Sequence, residues 1–252
     1  MRWSYGPLGV KDFFTLINLM GGAAGIHLVL EGRPELAGLA LIAGYVLGDT
    51  LDGVVARLTG TSNRFGSAFD SVTDHLTQAI VPGIVVMAVY RQAGHPIAGF
   101  VLMSVLIACG TIRHALFTVA TLENPLMYCG LPRTVSGFAA VSFVLSRIFF
   151  HDNPVALPMG MVLIPALALA GLLPIPYMTH RGARRMQTYV KVLVAGIFVT
   201  PAIALILARH LMFDVLFVWM MAYALFAWVP LMPAERRSFF ERYRRWTAEV
   251  SH

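Results

Sequence analysis

The chain has 252 residues, 58% of them hydrophobic and 13% charged, with a formal net charge of +6. Soluble domains run nearer roughly 45–50% apolar and 25% charged, so a mean hydropathy of +0.71 excludes an ordinary water-bounded fold, and much of the apolar surface must face lipid. Nucleic-acid binders carry their Lys and Arg as stripes on otherwise polar surfaces; in a chain this apolar the basic excess points to anionic membrane lipid, with no nucleic acid as partner.

Residues 1–11 read as a juxtamembrane lead-in, because no small-residue cleavage site follows at signal-peptide distance. A spanning helix needs about 20 mostly apolar residues. Eight stretches meet that need, at approximately 12–31, 35–58, 67–92, 95–121, 132–150, 154–177, 188–209 and 211–231. Their joints, such as Glu31-Gly-Arg-Pro34, Gln92-Ala-Gly-His95 and His151-Asp-Asn-Pro154, are helix stops followed by proline or a turn-former. The expected fold is all-α, a polytopic membrane helical bundle of about eight transmembrane helices forming one domain over 1–252. A core over 12–190 is followed by additional spans over 191–231 and a basic-aromatic tail over 232–252. That tail alternates Arg with Phe, Tyr and Trp, the composition of an interfacial helix on anionic lipid or of a topology signal. Cys109 and Cys129 form no CxxC or metal spacing.

With eight spans both termini share one side. Fourteen Lys and Arg residues then fall on the terminal side and four on the other, with Arg113 inside a span. The positive-inside rule places the termini and the 59–66, 122–131 and 178–187 loops in the cytoplasm, which makes this an inner, cytoplasmic membrane protein with its reactive face inward.

Thirteen acidic residues serve the whole chain, yet Asp49, Asp52, Asp70 and Asp74 fall at the facing ends of spans two and three. The spacings of three and four put each pair on one helical face. A carboxylate at membrane depth costs on the order of 3 kcal/mol, so four together require a cation or a wet cavity. Oxygen ligands suit Mg²⁺ or Mn²⁺ better than Zn²⁺. Gly53 and Ala56 leave gaps beside the backbone, Gly66 lies across the loop, and Arg57 can meet phosphate oxygens. Together these describe a phosphate-ester site.

The stretch Asp49-Thr-Leu-Asp-Gly-Val-Val-Ala-Arg57, then Gly66, Asp70 and Asp74 at their spacings, resembles the signature of the CDP-alcohol phosphotransferases. The resemblance implies a homodimeric membrane enzyme that moves a phosphatidyl-type group from a CDP-linked donor such as CDP-diacylglycerol to an alcohol and releases CMP. It makes Asp49, Asp52 and Asp70 metal ligands and Asp74 the base or a second-metal ligand. Gly53, Ala56, Arg57 and Gly66 then lie near the nucleotide and diphosphate. Thr15-Leu-Ile-Asn18 with Gly21-Gly22 looks like the family's first helix, whose asparagine lies by the same group.

Tyr128-Cys-Gly-Leu-Pro132 and Leu172-Leu-Pro-Ile-Pro-Tyr177 resemble segments of the CDP-diacylglycerol–serine O-phosphatidyltransferases, the phosphatidylserine synthases. That subfamily often shows Arg-Leu-Ala-Arg-Phe-Asn on its fourth helix, where this chain reads Arg113-His-Ala-Leu-Phe-Thr118 and agrees at Arg113, Ala115 and Phe117. Serine is the favoured acceptor, with Arg113, Arg133 and Arg181 as acceptor-binding candidates. Glycerol 3-phosphate and inositol phosphate are the alternative acceptors, served by phosphatidylglycerophosphate or phosphatidylinositol phosphate synthases. From a different class, a cation transporter also carries intramembrane aspartates.

Overall fold

The computed structural model describes residues 9–49, 64–119, 127–178, 184–229 and 231–250. Asp52, Gly53, Ala56, Arg57 and Arg181 lie outside them. The chain is a polytopic helical membrane protein. Among the described residues, Lys11–Leu30, Arg64–Gln92, Pro96–Val119 and Arg209–Phe226 are long and apolar enough to cross a bilayer, and shorter apolar helices accompany them. Two compact units divide the chain, residues 1–103 and 104–252.

The first unit holds α1 (Val10–Leu30), α2 (Pro34–Leu47), α3 (Arg64–His75) and α4 (Val81–Gln92), and the start of α5 (Pro96–Val119). Its joints follow the stop signals in the sequence. Gly32 and Gly94 take φ of 75° and 85°, which only glycine adopts without steric cost, and Pro34 opens α2 where its missing N–H costs nothing. Helices α1 and α2 run antiparallel with backbones in contact, because a Cβ on Gly21 would lie 2.6 Å from Gly44 Cα. Helix α1 runs in the same direction as α3 and α4: Lys11 meets Gly66 at one end, Gly22 packs on Thr77 and Gly25 on Val81 further along.

A wide π turn at Leu76–Ile80 joins α3 to α4. Proline at 82 supplies no N–H and its ring would strike the carbonyl four residues back, so a locally widened turn just ahead of it lets the rod continue.

The second unit contains the end of α5, α6 (Arg133–Leu145), α7 (Ala156–Ala170), α8 (Arg184–Leu207), α9 (Met212–Phe226) and α10 (Pro233–Val250). Phe143 packs on Phe150 and Phe217 at 5.5 and 5.4 Å between ring centroids, and the Trp219 indole lies on Gly196, where a Cβ would stand 2.5 Å from the ring.

Three departures from the sequence expectation lie in this unit. The helix expected over 132–150 breaks at Ser146, whose ψ of 139° is extended, and resumes as a π turn over Arg147–His151. The break is held by buried Asp214 of α9, which accepts from Ser146 Oγ at 2.6 Å, Ile148 N at 2.7 Å and Arg147 N at 3.2 Å. The stretch expected as a helix over 154–177 ends at Ala170, because Pro174 and Pro176 have no N–H to continue the ladder and their rings clash with the preceding turn. Instead β2 (Pro176–Met178) pairs antiparallel with β1 (Met127–Cys129), Tyr128 opposite Tyr177. The tail helix α10 turns aromatic side chains toward protein: Phe239 is fully buried, Trp246 nearly so, and Trp246 stacks on Phe117 at 5.3 Å. Its exposed face carries Arg237, Arg244 and Arg245.

Candidate active site

The site is built by helix contacts in the first unit. On α1, Lys11, Asp12, Thr15 and Asn18 are all buried, and their spacing places them on one face of an otherwise apolar helix. The end of α2 closes on that face at Gly48, where a Cβ would lie 2.5 Å from Asn18 N and 2.6 Å from Asn18 Cβ. Only a residue without a side chain lets the two backbones approach this closely, and the contact sets down Asp49, the next residue, beside α1. Helix α3 contributes Asp70 and Asp74 from adjacent turns.

The result is an acidic triad. Carboxylate oxygens of Asp49, Asp70 and Asp74 all lie within 4.8 Å of one another, and each residue is half-buried. Asn18 Nδ2 donates to Asp74 Oδ1 at 3.4 Å. The other end of that carboxamide, Oδ1, is buried and has no hydrogen-bond partner among the described residues.

Three like charges this close raise one another's ionisation cost unless a cation joins them. The donor set fits a divalent metal: all three ligands are hard oxygens, and convergent carboxylates suit Mg²⁺-type coordination. The triad can therefore hold a divalent ion.

Other residues singled out in the sequence are distributed as follows. Gly66 faces α1, where a Cβ would overlap Asp12 Oδ1 and lie 2.8 Å from Lys11 Nζ. Arg113 and Arg133 belong to the second unit. Arg113 Nη1 donates to the carbonyls of Cys129 at 2.6 Å and Gly171 at 2.5 Å, while its guanidinium lies 4.8 Å from the Phe117 ring centroid. It ties the end of β1 to the turn that leads toward β2, both at the Cys129–Pro176 end of the ribbon. Gly130 occupies the tightest point, at φ 70°, where a Cβ would overlap Gly171 O. Arg133 Nη1 lies 2.9 Å from His114 Nδ1.

Sequence reasoning missed Lys11, Asp12 and the hydrogen-bonding target of Asn18. Their signal was available as polar residues recurring at helical spacing in an apolar segment. It also read Tyr128–Pro132 and Leu172–Tyr177 as separate segments, and the fold joins them in one ribbon. Tyr177 Oη donates to Ala224 O at 3.2 Å and Tyr223 Oη to Met178 O at 2.9 Å, tying that ribbon to α9.

Comparison with known proteins supplies the context. The chain is 26% identical over 230 residues to a CDP-diacylglycerol–serine O-phosphatidyltransferase of Helicobacter pylori strain J99, covering 88% of this chain and 91% of that one. It is 26% identical over 158 residues to a protein of the same name from Methanocaldococcus jannaschii, covering 62% and 70%. A protein of that name from Saccharomyces cerevisiae matches at 28% over 125 residues, 47% of this chain and 44% of the yeast protein. Residues 10–229 match the family described as CDP-alcohol phosphatidyltransferase, a span that contains the acidic triad, the arginine clamp and the strand ribbon, and this chain belongs to that family.

Proposed function

We propose that this enzyme, which transfers a phosphatidyl group from CDP-diacylglycerol to an alcohol, uses L-serine as the alcohol and yields phosphatidylserine and CMP. The convergence of Asp49, Asp70 and Asp74 within 4.8 Å carries the reading of the reaction site. The names of the relatives support serine. Membership of a transferase family favours group transfer over cation transport.

In this reading Asp49, Asp52 and Asp70 would hold Mg²⁺ or Mn²⁺, and Asp74 lies beside Asp49 and Asp70 in the triad. The ion would supply Lewis-acid neutralisation of phosphoryl oxygen charge. The acceptor hydroxyl has too high a pKa to attack unaided, and Asp74 takes its proton as the acceptor oxygen bonds to the lipid-side phosphorus and the phosphorus–oxygen bond to the departing CMP breaks. Asn18 holds the Asp74 carboxylate in place through its amide hydrogen. Asn18, Gly53, Ala56 and Arg57 border the nucleotide and diphosphate. Arg133 and Arg181 provide cationic contacts for the acceptor carboxylate. Arg113, whose Nη1 donates to the carbonyls of Cys129 and Gly171, braces the end of β1 just ahead of Arg133. The active face is read as cytoplasmic, which the distribution of basic residues supports, and the resemblance to the family supports a homodimer.

An acceptor panel tests this directly. Purified protein with CDP-diacylglycerol and Mn²⁺ should release CMP with L-serine and form phosphatidylserine. Release with glycerol 3-phosphate or inositol phosphate and none with serine would reassign the acceptor.

A further inference from the structure

Lys11 and Asp12 form an ion pair at 3.5 Å, with side chains 10% and 1% exposed. Asp12 Oδ2 also accepts from Gly9 N at 2.6 Å, closing the first turn of α1. Desolvation offsets most of the Coulomb attraction of such an enclosed pair, so it is a weak source of net stability. Its position is more informative. A Cβ at residue 66 would overlap Asp12 Oδ1 and lie 2.7 Å from Lys11 Cε and 2.8 Å from Nζ, so the pair fills the space that Gly66 leaves open.

Lys11, Thr15 and Asn18 follow one another along one face of α1, and Gly66, Asp70 and Asp74 along one face of α3. The two helices run in the same direction. Contact between the ion pair and Gly66 at one end therefore governs the height at which Asn18 meets Asp74 two turns further on. A displacement of α1 at Gly66 would carry the Asn18 carboxamide away from a hydrogen bond that is already 3.4 Å long.

We propose that the Lys11–Asp12 pair is a positioning unit of the acidic site: seated against Gly66, it sets the register of α1 along α3 and holds Asn18 on Asp74. This rests on the triad being the reaction site. It gives Gly66 a partner within the protein, where a direct role toward the nucleotide would leave the gap for substrate.

The test is a double-mutant cycle on the full chain in lipid nanodiscs, comparing Gly66→Ala, Asp12→Ala and the double variant with the unmodified protein. Asp12→Asn, which keeps the size of the side chain and an oxygen for Gly9 N, serves as the conservative control. Mn²⁺ affinity by electron paramagnetic resonance, kcat, and KM for CDP-diacylglycerol are read separately. Each single variant should lower kcat about tenfold and weaken Mn²⁺ binding, with donor KM little changed. The double variant should be no worse than either single one, and Asp12→Asn should restore most of the loss.

Multiplicative losses, with donor KM raised by Gly66→Ala in both backgrounds, would overturn the proposal in favour of nucleotide contact. Unchanged kcat and Mn²⁺ affinity in Asp12→Ala would overturn it as well, and that variant decides the matter if Gly66→Ala does not fold. If the unmodified protein releases no CMP with any acceptor, the functional reading fails, and the Mn²⁺ affinities still judge the positioning role.

Discussion

Asn18 on α1 and Asp74 on α3, separated by 56 residues in the chain, meet through one hydrogen bond from Nδ2 to Oδ1 at 3.4 Å. The amide donates to one carboxylate oxygen and so fixes the orientation of the Asp74 carboxylate. Asn18→Ala should leave the protein folded and lower kcat for CMP release by about tenfold to a hundredfold, equivalent to roughly 1.4–3 kcal/mol of barrier. Asn18→Asp should be worse, because it adds a fourth carboxylate beside three. Steady-state CMP release across both variants checks this, and unchanged turnover in Asn18→Ala would remove the residue from the site.

Asp49 and Asp70 come from different helices and meet only in the fold, so each tests the triad independently. Replacing either by Asn removes a ligand charge at nearly constant volume. Asp49→Asn and Asp70→Asn should each abolish metal-dependent CMP formation while preserving the elution profile in detergent and the helical circular dichroism spectrum. Activity that persists in either variant and rises with added Mn²⁺ would indicate weakened metal binding. Full activity without added metal would contradict the assignment.

The parts of this site that were legible in the sequence are those set by local periodicity. Asp70 and Asp74 share a face because residues four apart on a helix must. The convergence of Asp49 with them depends on Gly48 pressing against Asn18, and a glycine in an apolar run does not declare its neighbour. The break at Ser146 was hidden for a similar reason, since the carboxylate that holds it, Asp214, is 68 residues away. Strands of three residues carry too few positions for an alternating pattern to stand out, so β1 and β2 were read as loop and helix end. The aromatic periodicity of α10 was visible, but the same stripe suits lipid or protein, and only the stacking of Trp246 on Phe117 shows that protein takes it.

Arg113 and Arg133 were read alike in the sequence, and the fold gives them different contacts, two carbonyls for Arg113 and the His114 ring for Arg133. Arg113 bridges two backbone carbonyls, and charge-assisted bonds of this kind are worth about 1.5–3 kcal/mol each. Arg113→Gln should therefore lower the unfolding midpoint in detergent by several degrees and leave the KM for the acceptor nearly unchanged. Arg133→Gln should do the reverse, raising acceptor KM about tenfold with little change in midpoint. Thermal unfolding and acceptor titrations on both variants check the distinction. A raised acceptor KM in Arg113→Gln with an unaltered midpoint would exchange the two roles.

Cys129 lies on β1 in a cluster with Met127, Met178, Leu231 and Phe239, with Phe117 and Tyr243 packed around it. Burial pushes its thiol pKa up from the usual 9.0 to about 11, and the positive charge of Arg113 opposes only part of that rise. The folded protein thus keeps a proton on sulfur between about pH 9 and 11 that the unfolded chain gives up. The stability contributed by the neutral thiol is complete below about pH 9 and is lost as the pH climbs through about 11. At pH 8 Cys129 should be almost inert to iodoacetamide, being both protonated and enclosed. Truncating Phe239, which fills the same cluster from α10, should cost about 3–5 kcal/mol of local packing and open the thiol. Alkylation followed by peptide mass spectrometry, which separates Cys129 from Cys109, should show Phe239→Ala reacting at least about tenfold faster at position 129, since local opening free energy sets the exposed fraction. Equal rates in the two proteins would mean that α10 does not cover the ribbon in the membrane-embedded enzyme, and that its aromatic face is free to meet lipid after all.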